Sequence, residues 1–75
     1  MKDMYEDKRI FVEKKLAAVL TDTGMVAEVK YSANSDWETV TITLLNGEKI
    51  YVNVTYDSLW AIYEDVARRL LEVDI

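Results

Sequence analysis

Two stretches of strict two-residue hydrophobic alternation, separated by Asn46-Gly47, constrain the fold of this chain more than any other feature. Aliphatic side chains occupy every second position in both stretches, namely Val40, Ile42 and Leu44, then Ile50, Val52 and Val54. This period is typical of β-strands with one buried face, and Asn-Gly is a strong signal for the turn between two such strands. The pattern therefore predicts a β-hairpin formed by strands at 37–45 and 48–55.

The same alternation predicts the length of the hairpin loop. A two-residue loop would place Ile42 opposite Tyr51, and the apolar sets of the two strands would then lie on opposite faces of the sheet. A three-residue loop at 45–47 instead places Ile42 opposite Ile50 and aligns every apolar position on one face. Gly47 would then occupy the positive-φ position of a turn with a G1 bulge. We therefore predict the three-residue loop.

Three further segments complete a predicted element order of α-β-β-β-α. Apolar residues recur at helical spacing over 3–22 and 58–73, and a third strand is predicted over 25–33. Gly24 is placed to end the first helix, and Asp57 to cap the second. Because both helices are amphipathic and the sheet has one apolar face, we expect an α+β fold. In this two-layer sandwich, both helices cover one face of a three-stranded antiparallel meander.

The expected buried side chains follow from these periods. On the first helix they are Tyr5, Val12, Leu16, Val19 and Leu20. On the strand over 25–33 they are Met25, Ala27, Val29 and Tyr31. On the second helix they are Leu59, Ile62, Tyr63, Val66, Leu70 and Val73. A second apolar stripe on that helix, with Trp60 and Leu71, either wraps around the sheet edge or pairs with another chain. We favour the first alternative because two-layer domains often bury wide helix faces.

Composition restricts the chemistry open to this single domain of residues 1–75. The chain has no cysteine and no histidine, and so lacks a thiolate, the commonest general base and the commonest metal ligand. Glu64 and Asp65 are each followed four residues later by an arginine, which is the spacing of solvated ion pairs. The segment 34–38 lacks the spacing of a calcium loop and favours a β-turn. We therefore expect no enzymatic activity, no cofactor and no metal.

The charge and hydropathy of the chain restrict its partners. Nine basic and 14 acidic residues give a net charge of −5, which disfavours direct binding to nucleic acid or to anionic membranes. No apolar run approaches the roughly 20 residues of a membrane span, and residues 1–7 lack the apolar region of a signal peptide. These features favour a cytoplasmic protein. The acidic excess lies on the sheet and second helix, where it either promotes solubility or contributes to binding.

The element order resembles that of the double-stranded-RNA-binding domain. That resemblance implies basic residues at the start of the last helix and in a loop between strands. Here the last helix begins with Asp57-Ser58-Leu59-Trp60, and Arg68 and Arg69 come late among acidic residues, so the resemblance is one of topology alone. The element order is also similar to that of several small acidic phage-encoded inhibitors. Beyond this order, the similarity extends to the size and charge of the chain.

We expect the sheet face that points away from the helices, together with the second helix, to carry the function. The expected partner-binding residues are Trp37, Thr39, Thr41, Tyr51, Trp60 and Glu64. Trp37 and Tyr51 form either a cross-strand pair that stiffens the sheet or aromatic anchors for a partner. The leading hypothesis is a small non-enzymatic interaction protein that occupies a surface of another protein. The alternatives are an acidic inhibitor that competes with nucleic acid for a basic site, as a phage anti-defence protein would, and a structural homodimer.

Overall fold

A three-stranded antiparallel sheet flanked in sequence by two helices forms the fold, and the predicted α+β class is confirmed. The computed structural model describes residues 4–72, so the predicted helix positions Asp3 and Val73 lie outside the described residues. The strands are β1 (Val26–Ala33), β2 (Glu38–Leu44) and β3 (Lys49–Asn53), in the sheet order β1-β2-β3. The N-terminal helix comprises α1 (Met4–Ile10), a π-helical segment (Phe11–Leu16) and α2 (Ala17–Asp22), and the C-terminal helix is α3 (Leu59–Glu72).

The β2–β3 hairpin has the predicted register. Ile42 pairs with Ile50, and the Leu44 N–H donates to the Glu48 carbonyl at 2.8 Å. The Gly47 N–H donates to the Leu44 carbonyl at 3.0 Å, and Gly47 has a φ of 92°, which places it in the left-handed region. The three-residue loop is therefore confirmed.

Strand β1 departs from the predicted alternation at its start. Val26 pairs with Leu44 and Glu28 pairs with Thr43, so Ala27 is an extra residue in a β-bulge. A bulge shifts the side-chain alternation by one position. As a result Val26 is buried and Ala27 is exposed, and the prediction that Ala27 faces the core is wrong.

The N-terminal helix buries every fourth residue over four turns. The buried positions are Lys8, Val12, Leu16 and Leu20. In an α-helix, four residues rotate by about 400°, so a spacing of four drifts about 40° per turn away from a fixed face. The wider turn of the π-helical segment compensates for this drift. Val19, which a pure α-helical period predicts as buried, is exposed.

Helix α3 buries a narrower face than predicted. Ile62 and Val66 are fully buried, whereas Leu59 and Tyr63 remain substantially exposed. Trp60 and Leu71 are also exposed, so the favoured expectation that they wrap around the sheet edge is wrong.

The residue that caps α3 is Ser58 rather than Asp57. The Ser58 Oγ accepts a hydrogen bond from the Ala61 N–H at 3.2 Å, and the Ser58 carbonyl accepts one from the Ile62 N–H at 2.9 Å. The side chain of Asp57 instead lies next to a buried polar cluster that contains Lys8 and Glu38. The predicted cap was therefore displaced by one residue.

One core joins both helices to one face of the sheet. Its buried apolar residues are Val12, Leu16, Leu20, Val26, Val29, Tyr31, Val40, Ile42, Leu44, Val52, Val54, Ile62 and Val66. Within the described segment, neither helix packs on the opposite face of the sheet. Within residues 4–72, none of the helices combines the length and the apolar character that crossing a membrane requires.

Candidate protein-binding surfaces

The face of the sheet opposite the helices is lined by residues that alternate with the core. Thr41 lies between Lys30 of β1 and Tyr51 of β3, and Thr39 is paired with Asn53. We call this surface the open face and define it by Trp37, Thr39, Thr41 and Tyr51. The predicted assignment of the two sheet faces is confirmed, because Val40 and Ile42, which alternate with these threonines, are fully buried.

Trp37 and Tyr51 are the large aromatic side chains of the open face, and their exposed fractions are 45% and 60%. A turn at Asn34 positions the backbone of Trp37 at the start of β2. The Asn34 Oδ1 accepts hydrogen bonds from the N–H groups of Asp36 (2.8 Å) and Trp37 (2.9 Å). This bonding pattern confirms a turn of the Asx kind at a segment rich in turn-forming residues.

Trp37 and Tyr51 do not form the cross-strand pair considered above. Tyr51 lies opposite Thr41, which is four residues along β2 from Trp37. At a rise of about 3.3 Å per residue, this separates the two positions by about 13 Å along the strand. The two aromatic residues therefore stand apart on the open face, with Thr39 between them.

Trp60 and Glu64 lie on α3, which belongs to the helical layer and not to the open face of the sheet. The Trp60 ring stacks on Tyr63, with a centroid distance of 5.4 Å and an interplanar angle of 29°. Trp60 is 69% exposed and Glu64 is also exposed. The six residues predicted as one binding region therefore form two surfaces: the open face and an outer strip of α3.

A buried polar cluster, which the sequence reasoning missed, connects the N-terminal helix to β2. The Lys8 Nζ donates to the Glu38 Oε1 at 2.7 Å, and the Tyr31 hydroxyl donates to the same oxygen at 2.7 Å. The Tyr56 N–H donates to the Glu38 Oε2 at 2.9 Å. Lys8 and Glu38 are both buried. This Lys8–Glu38 cluster satisfies a buried carboxylate with three donors, as a buried charge requires.

The cluster shifts the ionisation of its members. Burial raises the pKa of Glu38, but the hydrogen bonds from Lys8, Tyr31 and the Tyr56 N–H outweigh it and hold that pKa below its ordinary value of 4.5. Burial, and then the hydrogen bond to the negatively charged Glu38, raises the pKa of the Tyr31 hydroxyl. Glu38 is therefore an ionised, fully engaged side chain, which suits a structural role.

Asp57 lies next to this cluster, where burial and two neighbouring carboxylates disfavour its ionised form. Its Oδ2 is buried and has no hydrogen-bond partner within residues 4–72. Burial, and then the neighbouring Asp65 carboxylate, raise the pKa of Asp57 from 3.8 to about 6. The charge of Glu38 acts in the same direction, and Lys8 opposes it. A protonated Asp57 can donate a hydrogen bond to the Asp65 carboxylate, which an ionised Asp57 cannot do.

The sequence did carry a signal for this cluster. Glu38 occupies an inward position in the alternation that continues through Val40 and Ile42, and Lys8 precedes Val12 by four residues. Glu38 therefore lies on the apolar face of its strand and Lys8 on the apolar face of its helix. Because these two faces pack against each other, the two charged side chains can form a pair between the layers. The turn predicted over 34–38 takes no account of this inward position of Glu38.

Comparison of the chain with protein-family models, with curated proteins and with solved structures gave no match. Over residues 4–72, no three acidic side chains are grouped in a way that could hold a metal ion.

Proposed function

We propose that this is a non-enzymatic, cytoplasmic interaction protein that acts by binding and occupying a surface of another protein. The open face makes the contact, with Trp37 and Tyr51 as anchors and Thr39 and Thr41 as the flat, polar surface between them. A partner with a basic surface, such as a nucleic-acid-binding protein, belongs to the alternative in which the negative charge of the chain makes the contact, and the salt experiment below distinguishes the two.

The observation that supports this proposal is the exposure of two large aromatic side chains on a sheet face that neither helix covers. Neither side chain contributes to the core, so the fold alone gives no reason for an aromatic residue at either position. Tryptophan and tyrosine are enriched among the residues that dominate binding energy at protein interfaces. Their surroundings of threonine, lysine and asparagine match the polar rim of such interfaces.

The first experiment identifies the partner and maps the contact. A photoreactive amino acid placed at Thr41 in the full chain, expressed in its native cells, should crosslink to a defined protein. The matched control places the same group at Asn46, in the exposed hairpin loop. A crosslink that forms from Asn46 but not from Thr41 would contradict the open face as the contact surface.

The second experiment tests the anchors with the identified partner in solution. Trp37→Ala and Tyr51→Ala should each weaken binding at least about 30-fold, which corresponds to about 2 kcal/mol. Tyr56→Ala, which removes an exposed tyrosine from the loop after β3, should leave the affinity unchanged. The melting temperature of Trp37→Ala should stay near that of the wild type, and unfolding of this variant would show that Trp37 is a core residue.

Salt dependence separates this proposal from competition with nucleic acid. Binding through aromatic anchors should weaken little between about 50 and 300 mM salt, because apolar contacts are not screened. An acidic mimic of nucleic acid would instead lose affinity steeply over that range. A steep loss, together with wild-type affinity of Trp37→Ala, would favour the mimic.

A further inference from the structure

Helix α3 carries a stripe of side chains on the side away from its buried face. The stripe consists of Trp60, Glu64, Ala67 and Leu71, at intervals of four, three and four residues; Ala67 is half-buried and the other three are exposed. At 100° per residue these four positions lie within about 60° of one another around the helix axis. We call this set the α3 stripe. Its ends are large apolar side chains with exposed fractions of 69% for Trp60 and 86% for Leu71.

The α3 stripe is complementary to itself when it is reversed. An antiparallel second copy places Trp60 opposite Leu71 and Glu64 opposite Ala67, and the symmetry repeats both contacts. Glu64 then lies next to Arg68 of the second copy, because Arg68 follows Ala67 directly. A large residue meets a large residue at each end, and the small side chain of Ala67 leaves room for the Glu64 carboxylate. Such spacing and such a polar residue at an inner position are typical of paired helices with a defined orientation.

We propose that two copies of this chain associate through antiparallel contact of their α3 stripes. The charges favour this orientation, since the acidic Glu64 lies in the first half of α3 and Arg68 in the second. In the single chain, Arg68 lies 3.8 Å from Asp65 in a solvent-exposed pair and is available for a stronger partner. A symmetric dimer of this kind uses one surface patch on both copies.

An apolar cleft next to Leu71 gives Trp60 of the second copy a place to pack. The cleft has a volume of about 340 Å³ and lies between the end of the N-terminal helix, the start of β1 and the end of α3. Its apolar lining includes Leu20, Met25, Ala67 and Leu70. A tryptophan opposite Leu71 therefore contacts the apolar wall of the cleft as well as the Leu71 side chain.

The size of the contact predicts a modest affinity. Trp60, Tyr63 and Leu71 together expose on the order of 400 Å² per copy, given that each large side chain can bury about 150–250 Å². Two copies would then bury about 800 Å², which is less than the roughly 1,000 Å² of a stable specific interface and fits a weak, transient association. We therefore expect a dissociation constant in the micromolar range.

Sedimentation equilibrium of the full chain tests the proposal over about 5–200 µM. The apparent mass should rise with concentration from 8.7 kDa toward twice that value. Leu71→Ala and Trp60→Ala should each weaken association at least tenfold. Leu45→Ala, which removes another exposed leucine (66%) from the hairpin loop, should not change it. A constant mass of 8.7 kDa over the whole range would overturn the proposal, as would equal effects of Leu71→Ala and Leu45→Ala.

Charge reversal tests the orientation without removing apolar contacts. Glu64→Arg and Arg68→Glu should each reduce self-association, because each places like charges side by side in its own dimer. An equimolar mixture of the two variants should form a 1:1 heterodimer about as stable as the wild-type dimer, since both charge contacts are then restored, one in its original orientation and one reversed. A mixture that associates no better than either variant alone would overturn the antiparallel arrangement.

This proposal does not depend on the open face. Variants of Trp60 and Leu71 address the dimer, whereas variants of Trp37 and Tyr51 address the partner, and the two pairs lie on opposite layers of the sandwich. A failure of the dimer proposal would appear in the sedimentation experiment, and a failure of the proposed function would appear in the crosslinking and binding experiments.

Discussion

At the scale of single residues, the Lys8–Glu38 pair is the most sensitive position of the fold. Its two charged atoms lie 2.7 Å apart, with nearly all of both side chains removed from solvent. Removal of one partner from such a pair leaves an uncompensated buried charge, which costs more than the intact pair contributes. The pair therefore specifies how the N-terminal helix meets β2 and leaves little tolerance for substitution.

The first prediction concerns Lys8. Lys8→Met keeps much of the apolar stem but leaves the Glu38 carboxylate buried without its cation, so we expect a loss of about 3 kcal/mol in the free energy of unfolding. A domain of this size rarely has more than about 3–5 kcal/mol in total, so the variant should be close to unfolded. Urea denaturation at pH 7 measures the loss.

The control for that experiment is Lys14→Met on the exposed side of the same helix, which should change the unfolding free energy by less than about 0.5 kcal/mol. Adding Glu38→Gln to Lys8→Met should recover part of the loss, because the uncompensated charge is then removed. Indistinguishable urea midpoints for Lys8→Met and Lys14→Met would show that the buried pair is energetically unimportant.

At the scale of elements, the two glycines lie in turns that differ in their importance for the fold. Gly24 has a φ of 81° at the end of the N-terminal helix, and Gly47 has a φ of 92° in the hairpin that sets the register of β2 and β3. Added Cβ atoms meet no other atoms at either site, so the cost of substitution lies in the backbone conformation. Gly47→Val should cost about 2 kcal/mol or more and Gly24→Ala about 1 kcal/mol. Equal denaturation midpoints would contradict this difference.

The π-helical segment predicts an unusual tolerance to deletion. Such a segment accommodates one residue more than an α-helix of the same length. Deletion of Lys14 would change the buried spacing between Val12 and Leu16 from four to three, and three α-helical residues rise about 4.5 Å and rotate about 300°, close to one turn. Glu13, whose Oε2 accepts the Tyr31 N–H at 2.8 Å, precedes the deletion and keeps its contact.

We therefore expect the Lys14 deletion to fold with a stability within about 1 kcal/mol of the wild type, and with an uninterrupted α-helix. The control deletes Glu64 from α3, where no π-helical turn absorbs the change and the second half of the helix rotates by about 100°. Circular dichroism and urea denaturation compare the two. Unfolding of the Lys14 deletion would mean that the wide turn is required for the fold.

These elements also show what a sequence pattern can and cannot predict. The hairpin register followed from the sequence, because only one loop length aligns Ile42 with Ile50 and satisfies the alternation. The bulge at Ala27 and the π-helical turn each add one residue, and a fixed period of 2.0 or 3.6 cannot anticipate an added residue. The misplaced burial of Val19 and Ala27 follows directly from those two insertions.

At the scale of the whole molecule, the exposure of Trp37 and Tyr51 was predicted from the sequence, but the arrangement of the candidate binding residues was not. The sequence identified Trp37 and Tyr51 as exposed because their neighbours along each strand are core residues. It could not separate them from Trp60, because the angle at which α3 packs on the sheet depends on contacts between distant parts of the chain. The structure places these aromatic residues on two layers, which led to separate proposals for a partner and for a second copy.

The last prediction concerns how the stability of the whole fold depends on pH. The pKa of Glu38 is lowered in the folded state, so its contribution is present above about pH 4.5 and is lost as the pH falls through the folded value. The pKa of Asp57 is raised from 3.8 to about 6, so the folded state binds this proton more tightly than the unfolded state. Stability from Asp57 is therefore greatest at low pH and is lost as the pH rises through about 6. Because the gain from Glu38 is nearly complete by pH 4.5 and the loss from Asp57 begins near pH 4, these opposite slopes together predict maximal stability near pH 4.

Asp57→Asn isolates the second of these contributions. The amide cannot ionise and can donate a hydrogen bond to Asp65, so the variant should be about 2 kcal/mol more stable than the wild type at pH 7 and should lose the decline between about pH 4 and pH 6. Asp36→Asn, which removes an exposed carboxylate from the loop between β1 and β2, should keep the wild-type profile. Urea denaturation at intervals from pH 4 to pH 8 measures all three proteins. Parallel profiles for wild type and Asp57→Asn would show that Asp57 ionises in the folded protein as easily as in the unfolded chain.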